Sequence, residues 1–325
     1  MMKIFLNKAL PEAGMELLRH ANLELLLPEQ ELSSRAELIQ YCQQADVVVG
    51  LAAKGFDEDF FVQCPYVKAI ALFSVGYDQV DIAAATKRKI PVSNTPDVLS
   101  RATSDVAFLL MQSVSRLAAF NFERVKSGNW PTQFQPTLYL GQELYGKTLG
   151  IFGMGRIGFE LARKCKAAFD MKVIYHNRNR RPDMESELDA VYVSFEELLM
   201  QSDVLSIHAN YTAASKDLFN AEVFRKMKTN ALLINTARGG FISEPDLYEA
   251  LVTEQIWGAG LDVSDPEPMA PDNPLLTLPN VCVLPHIGSA TVEARNGMAR
   301  LVAENVIAYA KGARMPTVVN AEVYE

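Results

Sequence analysis

The sequence lacks several patterns that would assign it to a common class of protein. Its four cysteines show no CxxC spacing and its four histidines are isolated from one another. This excludes a cysteine-based zinc site and an HExxH-type metal site, and it gives no support to a disulfide scaffold. No apolar run approaches the ~20 residues that a membrane-spanning helix needs, and Lys8 and Pro11 cut the apolar start short of a signal-peptide core. We therefore expect a cytoplasmic protein without a metal centre or a membrane partner.

Positive charge is also scarce. The 325 residues include 31 Lys and Arg against 39 Asp and Glu, a formal net charge of −8. Without a Lys/Arg tract, this balance argues against nucleic acid or an anionic membrane as a partner. It does not exclude a small anionic substrate, because the local charge in a cleft decides that. The composition is that of a folded protein, and the length predicts two or three domains.

Short apolar runs alternate with longer helical patterns along most of the chain. This alternation predicts parallel sheets with helices on both faces, arranged as two α/β domains. One long helix is predicted over 98–125, beginning near Asp97 or Ser100, and a loop follows at 127–146. Strands are predicted at 4–6, 46–50, 67–73, 148–152, 172–175, 204–208, 231–235, 258–263 and 281–284, and further helices at 15–20, 56–63, 157–169, 195–201, 222–228, 244–253 and 290–311.

The strongest local signal is a GxGxxG sequence formed by Gly153, Gly155 and Gly158. It directly follows a predicted strand and opens a predicted helix, which is the context that gives this motif its meaning. The glycines permit a tight turn, close approach of a pyrophosphate and close helix–strand packing. The helix N-terminus then offers free N–H groups to the phosphate charge. The motif therefore predicts a dinucleotide site.

The next predicted strand ends without the acidic residue that an NAD-specific site would have. Asn177 stands in its place, and Arg178, Arg180 and Arg181 follow before the first carboxylate, Asp183. A ribose 2′-phosphate binds guanidinium groups and is repelled by a carboxylate. The sequence therefore predicts a preference for NADP, with NAD possible as a cofactor. A solvated basic loop without a ligand is the alternative.

Charged or titratable residues follow three later strands, at the sheet edge where open parallel sheets bind ligands. They are Arg238, Glu267 and His286. An arginine, a carboxylate and a histidine that converge there could supply a carboxylate anchor and an acid–base pair. Taken singly, they could equally form a surface salt bridge, a solvated loop acid and a helix cap.

Together these motifs resemble the D-isomer-specific 2-hydroxyacid dehydrogenase family over essentially the whole chain. Within the family, the chain resembles bacterial glyoxylate/hydroxypyruvate reductases, including their 2-ketogluconate reductase branch. Two departures are modest: Asn210 stands where the family often has proline, and residues 264–266 replace a more usual Phe-Glu-x before Glu267. The resemblance is carried by residues 74–78, 92–96, 153–158, 235–240, 258–263, 267–268 and 285–291, and the branch by 74–78, 125–130 and 178–181.

The resemblance implies a Rossmann cofactor domain inserted into a flavodoxin-like substrate domain, so that the chain crosses between them twice. The substrate domain would be residues 1–97 plus 286–325, and the NAD(P)-binding domain 98–285, whereas composition alone would assign the C-terminal segment to the cofactor domain. Closure of the two domains would assemble the site and exclude water. A homodimer is also implied, with five side chains buried between subunits: Trp130, Phe134, Leu138, Tyr139 and Leu140.

The implied reaction is reversible hydride transfer between NADPH and C2 of a small 2-oxo acid such as glyoxylate or hydroxypyruvate. His286 would donate the proton, and Glu267 would hold its ring and favour the imidazolium form. Arg238 would bind the carboxylate and carbonyl oxygens of the substrate. The backbone N–H groups of Val75 and Gly76 would hold the same carboxylate.

Further contacts are implied by family position. Arg156 and Ile157 would join the glycines at the pyrophosphate, and Thr103 would lie near the nicotinamide. His208 is predicted to be structural, and His20 and His176 to lie at the surface. The remaining predicted contacts are Asn210, Thr236 and Asp262 for the cofactor and Ser289 for the substrate.

Several alternatives stay open. The enzyme could be a 2-ketogluconate reductase or another dehydrogenase, acting for example on D-lactate or 3-phosphoglycerate; Glu267 argues against a formate dehydrogenase, which lacks the Glu–His pairing. A protein of a different class, an NAD(P)-sensing corepressor-like binding protein, is the non-enzymatic alternative. Oxidation of NADPH in the presence of glyoxylate separates these classes. The sequence does not rank the 2-oxo acids, because the shape of the pocket decides that.

Overall fold

The computed structural model describes residues 1–32, 34–51 and 55–325. It divides into two compact units: Met1–Leu99 with Ala290–Glu325, and Ser100–Ser289. The predicted roles of substrate and cofactor domain, with boundaries at 97/98 and 285/286, stay predictions.

Strands and helices alternate along both units. The strands are β1 (Lys3–Leu6), β2 (Glu24–Leu26), β3 (Val47–Gly50), β4 (Ala69–Leu72), β5 (Val92–Ser93), β6 (Thr148–Phe152), β7 (Lys172–His176), β8 (Val191–Tyr192), β9 (Val204–Ile207), β10 (Leu232–Asn235), β11 (Gly258–Leu261) and β12 (Val281–Val283). The α-helices are α1 (Glu12–Arg19), α2 (Arg35–Cys42), α3 (Glu58–Gln63), α4 (Ile82–Lys87), α5 (Ser100–Ser115), α6 (Ala118–Lys126), α7 (Arg156–Phe169), α8 (Pro182–Leu188), α9 (Phe195–Gln201), α10 (Ala221–Phe224), α11 (Glu244–Val252) and α12 (Val292–Ala310).

The first unit is built on a five-stranded parallel sheet with the order β2-β1-β3-β4-β5. The residues of β3 and β4 are buried throughout, as expected for parallel strands that are covered on both faces. The helix α12 packs against both α1 and β4. The backbone of Gly14 lies so close to it that a Cβ there would meet the carbonyl oxygen of Ala299 at 2.5 Å.

The second unit is built on a seven-stranded parallel sheet with the order β12-β11-β10-β9-β6-β7-β8. Alternate residues of β10 enter two separate cores: Leu233 one of them, Leu232 and Ile234 the other. The chain runs outward from β6 to β8 and then returns to β9 on the other side of β6. Ligands of open α/β sheets bind at such a reversal. Two parallel-sheet α/β units confirm the predicted fold class.

The single helix predicted over 98–125 is wrong, because the structure has two helices there. Leu117 lies between α5 and α6 with φ of +52°, a left-handed conformation that a leucine seldom adopts. The backbone N–H of Gln142 donates to the carbonyl of Ser115 at 2.7 Å. The neighbouring Gly141 approaches so closely that a Cβ there would lie 2.2 Å from that oxygen. The segment at 141–142 thus binds the last carbonyl group of α5, at the point where this helix ends.

Short elements account for most other differences from the sequence-based expectations. The predictions omitted β2, β5, β8, α2, α4 and α8, and α10 is shorter than the predicted 222–228. Three of these missed elements are strands of two or three residues, too short to show a periodic pattern. The strand at 148–152 and the helix at 195–201 have the predicted bounds.

Two further observations concern the described ranges only. None of their helices combines the length and apolar character that crossing a bilayer requires. No three His, Cys, Asp or Glu side chains within them are grouped so as to hold a metal ion. The expected cytoplasmic location and the absence of nucleic-acid and membrane partners stay predictions.

Candidate active site

The glycine-rich turn between β6 and α7 has one crowded side and one open side. Gly153 has φ of +100°, and a Cβ there would meet the backbone nitrogen of Ala209 at 2.4 Å, so the position requires glycine. A Cβ on Gly155 would meet nothing within 4 Å, whereas one on Gly158 would lie 2.8 Å from Ile151. The turn is therefore sharp, tightly packed on its strand and open beside the first residues of α7. These residues fit the pyrophosphate of a dinucleotide, which needs open backbone at a helix N-terminus.

Asn177 lies at the end of β7, but its side chain is engaged with the glycine turn. Its Oδ1 accepts a hydrogen bond from the N–H of Met154 at 2.6 Å, and its Nδ2 donates to the carbonyl of Met154 at 3.3 Å. Asn177 therefore holds the turn in place, a role that the sequence reading did not foresee. The predicted contact between this side chain and the ribose stays a prediction.

The three arginines after Asn177 are not equivalent. Arg180 forms an ion pair with Glu185, with Nη2 and Oε2 2.7 Å apart, and Arg181 forms one with Asp183 at the same distance. Arg178 is exposed and makes no hydrogen bond or ion pair with any described residue. Arg178 is thus the member of the loop whose charge is not already balanced.

Arg238 is presented by a turn that Asn235 shapes. The Nδ2 of buried Asn235 donates to the carbonyl of Arg238 at 2.8 Å, and its Oδ1 accepts from the N–H of Ala237 at 3.0 Å. The half-buried Arg238 side chain donates from Nη1 to the carbonyl of Ala237 at 2.8 Å. A Cβ on Gly239 would lie 2.0 Å from the carbonyl carbon of Ser264. The turn therefore abuts the loop that leads from β11 to Glu267.

Glu267 and His286 meet beyond the carboxyl ends of β11 and β12. The Oε1 of Glu267 lies 2.5 Å from the Nδ1 of His286, and the two side chains are 38% and 48% exposed. A carboxylate bound to Nδ1 requires a proton on that nitrogen, so Nε2 remains for a ligand. Asp265, which the sequence alone could confuse with the acid of this pair, is exposed, and its backbone N–H donates to Glu244.

Two further carboxylates position the loops that carry this pair. Asp262 is buried and accepts hydrogen bonds from the N–H groups of Ile287 and Gly288 at 2.8 and 2.7 Å. Burial raises the pKa of its carboxyl group, while these two N–H groups act in the opposite direction. The predicted cofactor contact thus holds the loop after His286. Glu244, absent from the predicted set, accepts from the N–H of Asp265 at 3.0 Å.

In the first unit, the turn after β4 leaves backbone donors unused. The carbonyl of Val75 accepts from the Nδ2 of Asn94 at 2.8 Å, and the carbonyl of Gly76 accepts from the Oγ of Ser74 at 2.7 Å. The N–H groups of Val75 and Gly76 donate to no described residue. The turn is therefore fixed through its carbonyls, and its two N–H groups are available for an acceptor such as a carboxylate.

The remaining predicted contacts lie in different environments. Thr103 is buried and packs against Gly288, where a Cβ would approach its Cγ2 at 3.2 Å. Thr236 is half-buried, with its Oγ1 3.5 Å from the Nδ1 of His208. Arg156 and Asn210 are exposed, and Ile157 and Ser289 are half-buried.

The other histidines have no visible role in proton transfer. Burial lowers the pKa of His208 to about 3, and its Nε2 lies 2.8 Å from the Oγ of Ser206, which agrees with a neutral structural residue. His20 is exposed, as predicted. His176, which was predicted to lie at the surface, is half-buried. Its ring is stacked on Phe152 with centroids 6.2 Å apart, and its Nδ1 lies 2.9 Å from the carbonyl of Val193.

Known proteins resemble the chain in both sequence and structure. Residues 108–288 match the family described as D-isomer specific 2-hydroxyacid dehydrogenase, NAD binding domain. A glyoxylate reductase of Thermococcus litoralis is 42% identical over 324 residues, which cover 99% of this chain and 97% of that protein.

Two solved structures show the same similarity. A glyoxylate reductase from Paecilomyes thermophila has a TM-score of 0.88 and 33% identity, covering 98% of each chain. The NADPH-dependent glyoxylate/hydroxypyruvate reductase of Sinorhizobium meliloti, in complex with NADP and malonate, has a TM-score of 0.85 and 31% identity, covering 99% of this chain and 97% of that one.

Proposed function

The chain belongs to the D-isomer-specific 2-hydroxyacid dehydrogenase family, and on that premise we propose that it reduces glyoxylate or hydroxypyruvate with NADPH. The observation that carries this proposal is the contact between Glu267 and His286, whose Oε1 and Nδ1 lie 2.5 Å apart. Such a pair leaves one ring nitrogen able to donate or accept a proton. Reduction of a 2-oxo acid requires a proton at the carbonyl oxygen, and the pair supplies it.

His286 acts as the proton donor in this proposal. The Glu267 carboxylate orients the ring through Nδ1 and stabilises its protonated form, so that Nε2 delivers the proton to the oxygen at C2. Asp262 keeps the loop after His286 in place through its two backbone hydrogen bonds. NADPH, when bound, supplies the hydride.

Substrate orientation is assigned to Arg238 and to the turn after β4. A guanidinium can bind a carboxylate and a carbonyl oxygen together, and it stabilises the negative charge that develops at the carbonyl. The half-buried position of Arg238 strengthens such an interaction because less water screens it. The unused N–H groups of Val75 and Gly76 would bind the substrate carboxylate, and Ser289 would be a further contact.

NADPH is the proposed cofactor because of the loop after β7. Asn177 leaves no carboxylate at the end of this strand, and Arg178 has a charge that no described residue balances. The relative from Sinorhizobium meliloti is NADPH-dependent, which supports the same choice. Gly153, Gly155, Arg156, Ile157 and Gly158 would hold the pyrophosphate. The remaining proposed contacts are Thr103, Asn177, Arg180, Arg181, Asn210, Thr236 and Asp262.

The proposal is tested by a panel of 2-oxo acids with each nicotinamide cofactor. Oxidation of NADPH is followed as the loss of the absorbance of the reduced nicotinamide ring at ~340 nm. The substrates are glyoxylate, hydroxypyruvate and 2-ketogluconate, and each measurement is repeated with NADH. We expect the highest kcat/KM with NADPH and one of the two smaller acids. A higher kcat/KM with 2-ketogluconate would show that this acid is the preferred substrate. No turnover with any of the acids would contradict the enzymatic function.

A homodimer is also proposed, through the segment at 127–146 and the helix α6. Trp130 is 74% exposed and Phe134 93% exposed, with Leu140 exposed beside them, and apolar surface of this kind marks contact sites. Leu138 and Tyr139 are half-buried and complete the predicted interface. Sedimentation at micromolar concentration tests the proposal. A fully active monomer would contradict it.

A further inference from the structure

Arg295 on α12 is a cation that forms no ion pair within the part of the chain that the structure describes. Its side chain is half-buried, with Cζ 5.8 Å from the centre of the Phe73 ring. The guanidinium makes no hydrogen bond or ion pair with any described residue. Burial lowers the pKa of this group, and no neighbouring carboxylate offsets the effect. Charges that are partly removed from water are usually paired, so the exception calls for an explanation.

The position of Arg295 supplies that explanation. Phe73 is buried and directly follows β4, and the next residues form the turn in which the N–H groups of Val75 and Gly76 donate to no described residue. The cation–π contact holds the guanidinium at the start of this turn. An uncompensated positive charge and two unused N–H donors thus occur within one short stretch of the first unit. Both features are complementary to an anion.

We propose that Arg295 supplies the fixed positive charge that draws the carboxylate of the substrate to the turn at residues 74–76. The proposal rests on the proposed function, because it takes that turn as the carboxylate site. The carboxylate keeps its charge throughout reduction at C2. Arg295 should therefore stabilise the bound substrate and the transition state equally, which changes KM and leaves kcat nearly unchanged.

The test compares variants of Arg295 that separate charge from shape. Arg295→Met keeps the apolar stem without the charge, Arg295→Gln keeps hydrogen bonding without the charge, and Arg295→Lys keeps the charge. Arg314→Met is the matched control, because Arg314 also lies 5.8 Å from a ring, that of Tyr324, but in the C-terminal segment. Steady-state kinetics with glyoxylate are measured at low and high salt.

We expect Arg295→Met and Arg295→Gln to raise KM about tenfold with kcat changed less than about twofold. Arg295→Lys should stay within about threefold of the wild-type KM, and Arg314→Met should not differ from wild type. The increase in KM should shrink at high salt, because salt screens a charge effect. Unchanged KM in the Met and Gln variants, or a Lys variant as impaired as Met, would overturn the proposal.

A second measurement does not depend on turnover. Oxalate, an unreactive two-carbon dicarboxylate, should raise the Tm of the wild-type protein without cofactor and the Tm of Arg314→Met equally, since a ligand stabilises the state that binds it. This shift should be largely lost in Arg295→Met and Arg295→Gln. Equal shifts in all variants would contradict the role of Arg295. If the wild-type protein reduced no 2-oxo acid, the proposed function would fail, while the oxalate shift would still decide whether Arg295 binds a carboxylate.

Discussion

The two parallel sheets end in different kinds of chemistry. Beyond β4 in the first unit lie the backbone N–H groups of Val75 and Gly76, and the guanidinium of Arg295, which forms no ion pair within the described residues and lies over the ring of Phe73. Beyond β11 and β12 in the second unit lie a carboxylate and an imidazole in direct contact, those of Glu267 and His286. The first arrangement can attract and orient an anion, whereas the second can move a proton. We therefore expect changes in the first unit to act on KM and changes in the second to act on kcat.

The largest effect is expected from the proton donor. His286→Ala should lower kcat/KM by about 10²–10⁴-fold, the usual contribution of a general acid, and Arg238→Ala should also lose most of it. His20→Ala, the substitution of an exposed histidine, is the control and should leave turnover unchanged. Near-normal reduction of glyoxylate by His286→Ala would remove this residue from the mechanism and, with it, the contrast between the two units.

The next largest effect is expected on the choice of cofactor, and it tests whether the second unit selects NADPH over NADH. A charge-assisted hydrogen bond to phosphate contributes roughly 1.5–3 kcal/mol, so Arg178 should favour NADPH over NADH by about ten- to a hundredfold in kcat/KM. Arg178→Ala should remove most of that preference without changing the kinetics with NADH.

Two kinds of variant complete this cofactor test. Arg163→Ala is the control and should retain the preference, because this arginine of α7 is paired with Glu160 and is not among the proposed cofactor contacts. Asn177→Asp should reverse the preference, since its carboxylate repels a 2′-phosphate. Equal use of both cofactors by the wild-type enzyme, or equal weakening of both by Arg178→Ala, would show that this loop does not select.

A smaller effect distinguishes the acid of the catalytic pair from its neighbour. Glu267→Gln should lower kcat by about tenfold, because the ring keeps a partner but loses the charge that stabilises its protonated form. Asp265→Asn, two residues away and exposed, should have kcat within twofold (about the error of such assays) of wild type. A larger loss of kcat in Asp265→Asn than in Glu267→Gln would show that Glu267 is not the partner of His286.

The smallest effect is expected from a substitution in the first unit, and it tests whether the turn after β4 acts on KM alone. Asn94→Ala removes the donor that holds the carbonyl of Val75, a loss of about 1 kcal/mol that should raise KM for glyoxylate about fivefold. Because no titratable group is touched, kcat should stay nearly constant. Circular dichroism and Tm show whether the variant is folded. A fall in kcat with unchanged KM would indicate that the turn contributes to chemistry rather than binding.

Local patterns predicted the features that depend on neighbouring residues. The bounds of β6, the glycine turn and the polar residues beyond β10 and β11 follow from hydrophobic runs and from Gly153, Gly155 and Gly158. Contacts between distant segments left no such pattern. The N–H of Gln142 donates to the carbonyl of Ser115 at the end of α5. The apolar sequence continues past this residue, so it does not show that the helix ends there.

Side-chain partners were the least predictable part of the site. Asn177 was predicted to contact the cofactor, but its amide oxygen accepts a hydrogen bond from the N–H of Met154, 23 residues earlier in the chain. Glu244 lies 21 residues before the backbone that it holds, at Asp265. The ring of His176 stacks on Phe152 and Tyr192, which lie on the two strands beside β7. Such partners depend on strand order, which sequence spacing does not encode.

The helix α12 has a consequence for how the chain is made. It covers α1 and β4, yet the ribosome produces it only after all of residues 100–289 have been added. Asn320, which accepts from the N–H of Val92 and donates to the carbonyl of Ile90, comes later still. Domains fold as units during synthesis. The second unit can therefore complete its fold first, while the apolar face of α1 and β4 stays uncovered until α12 has been synthesised.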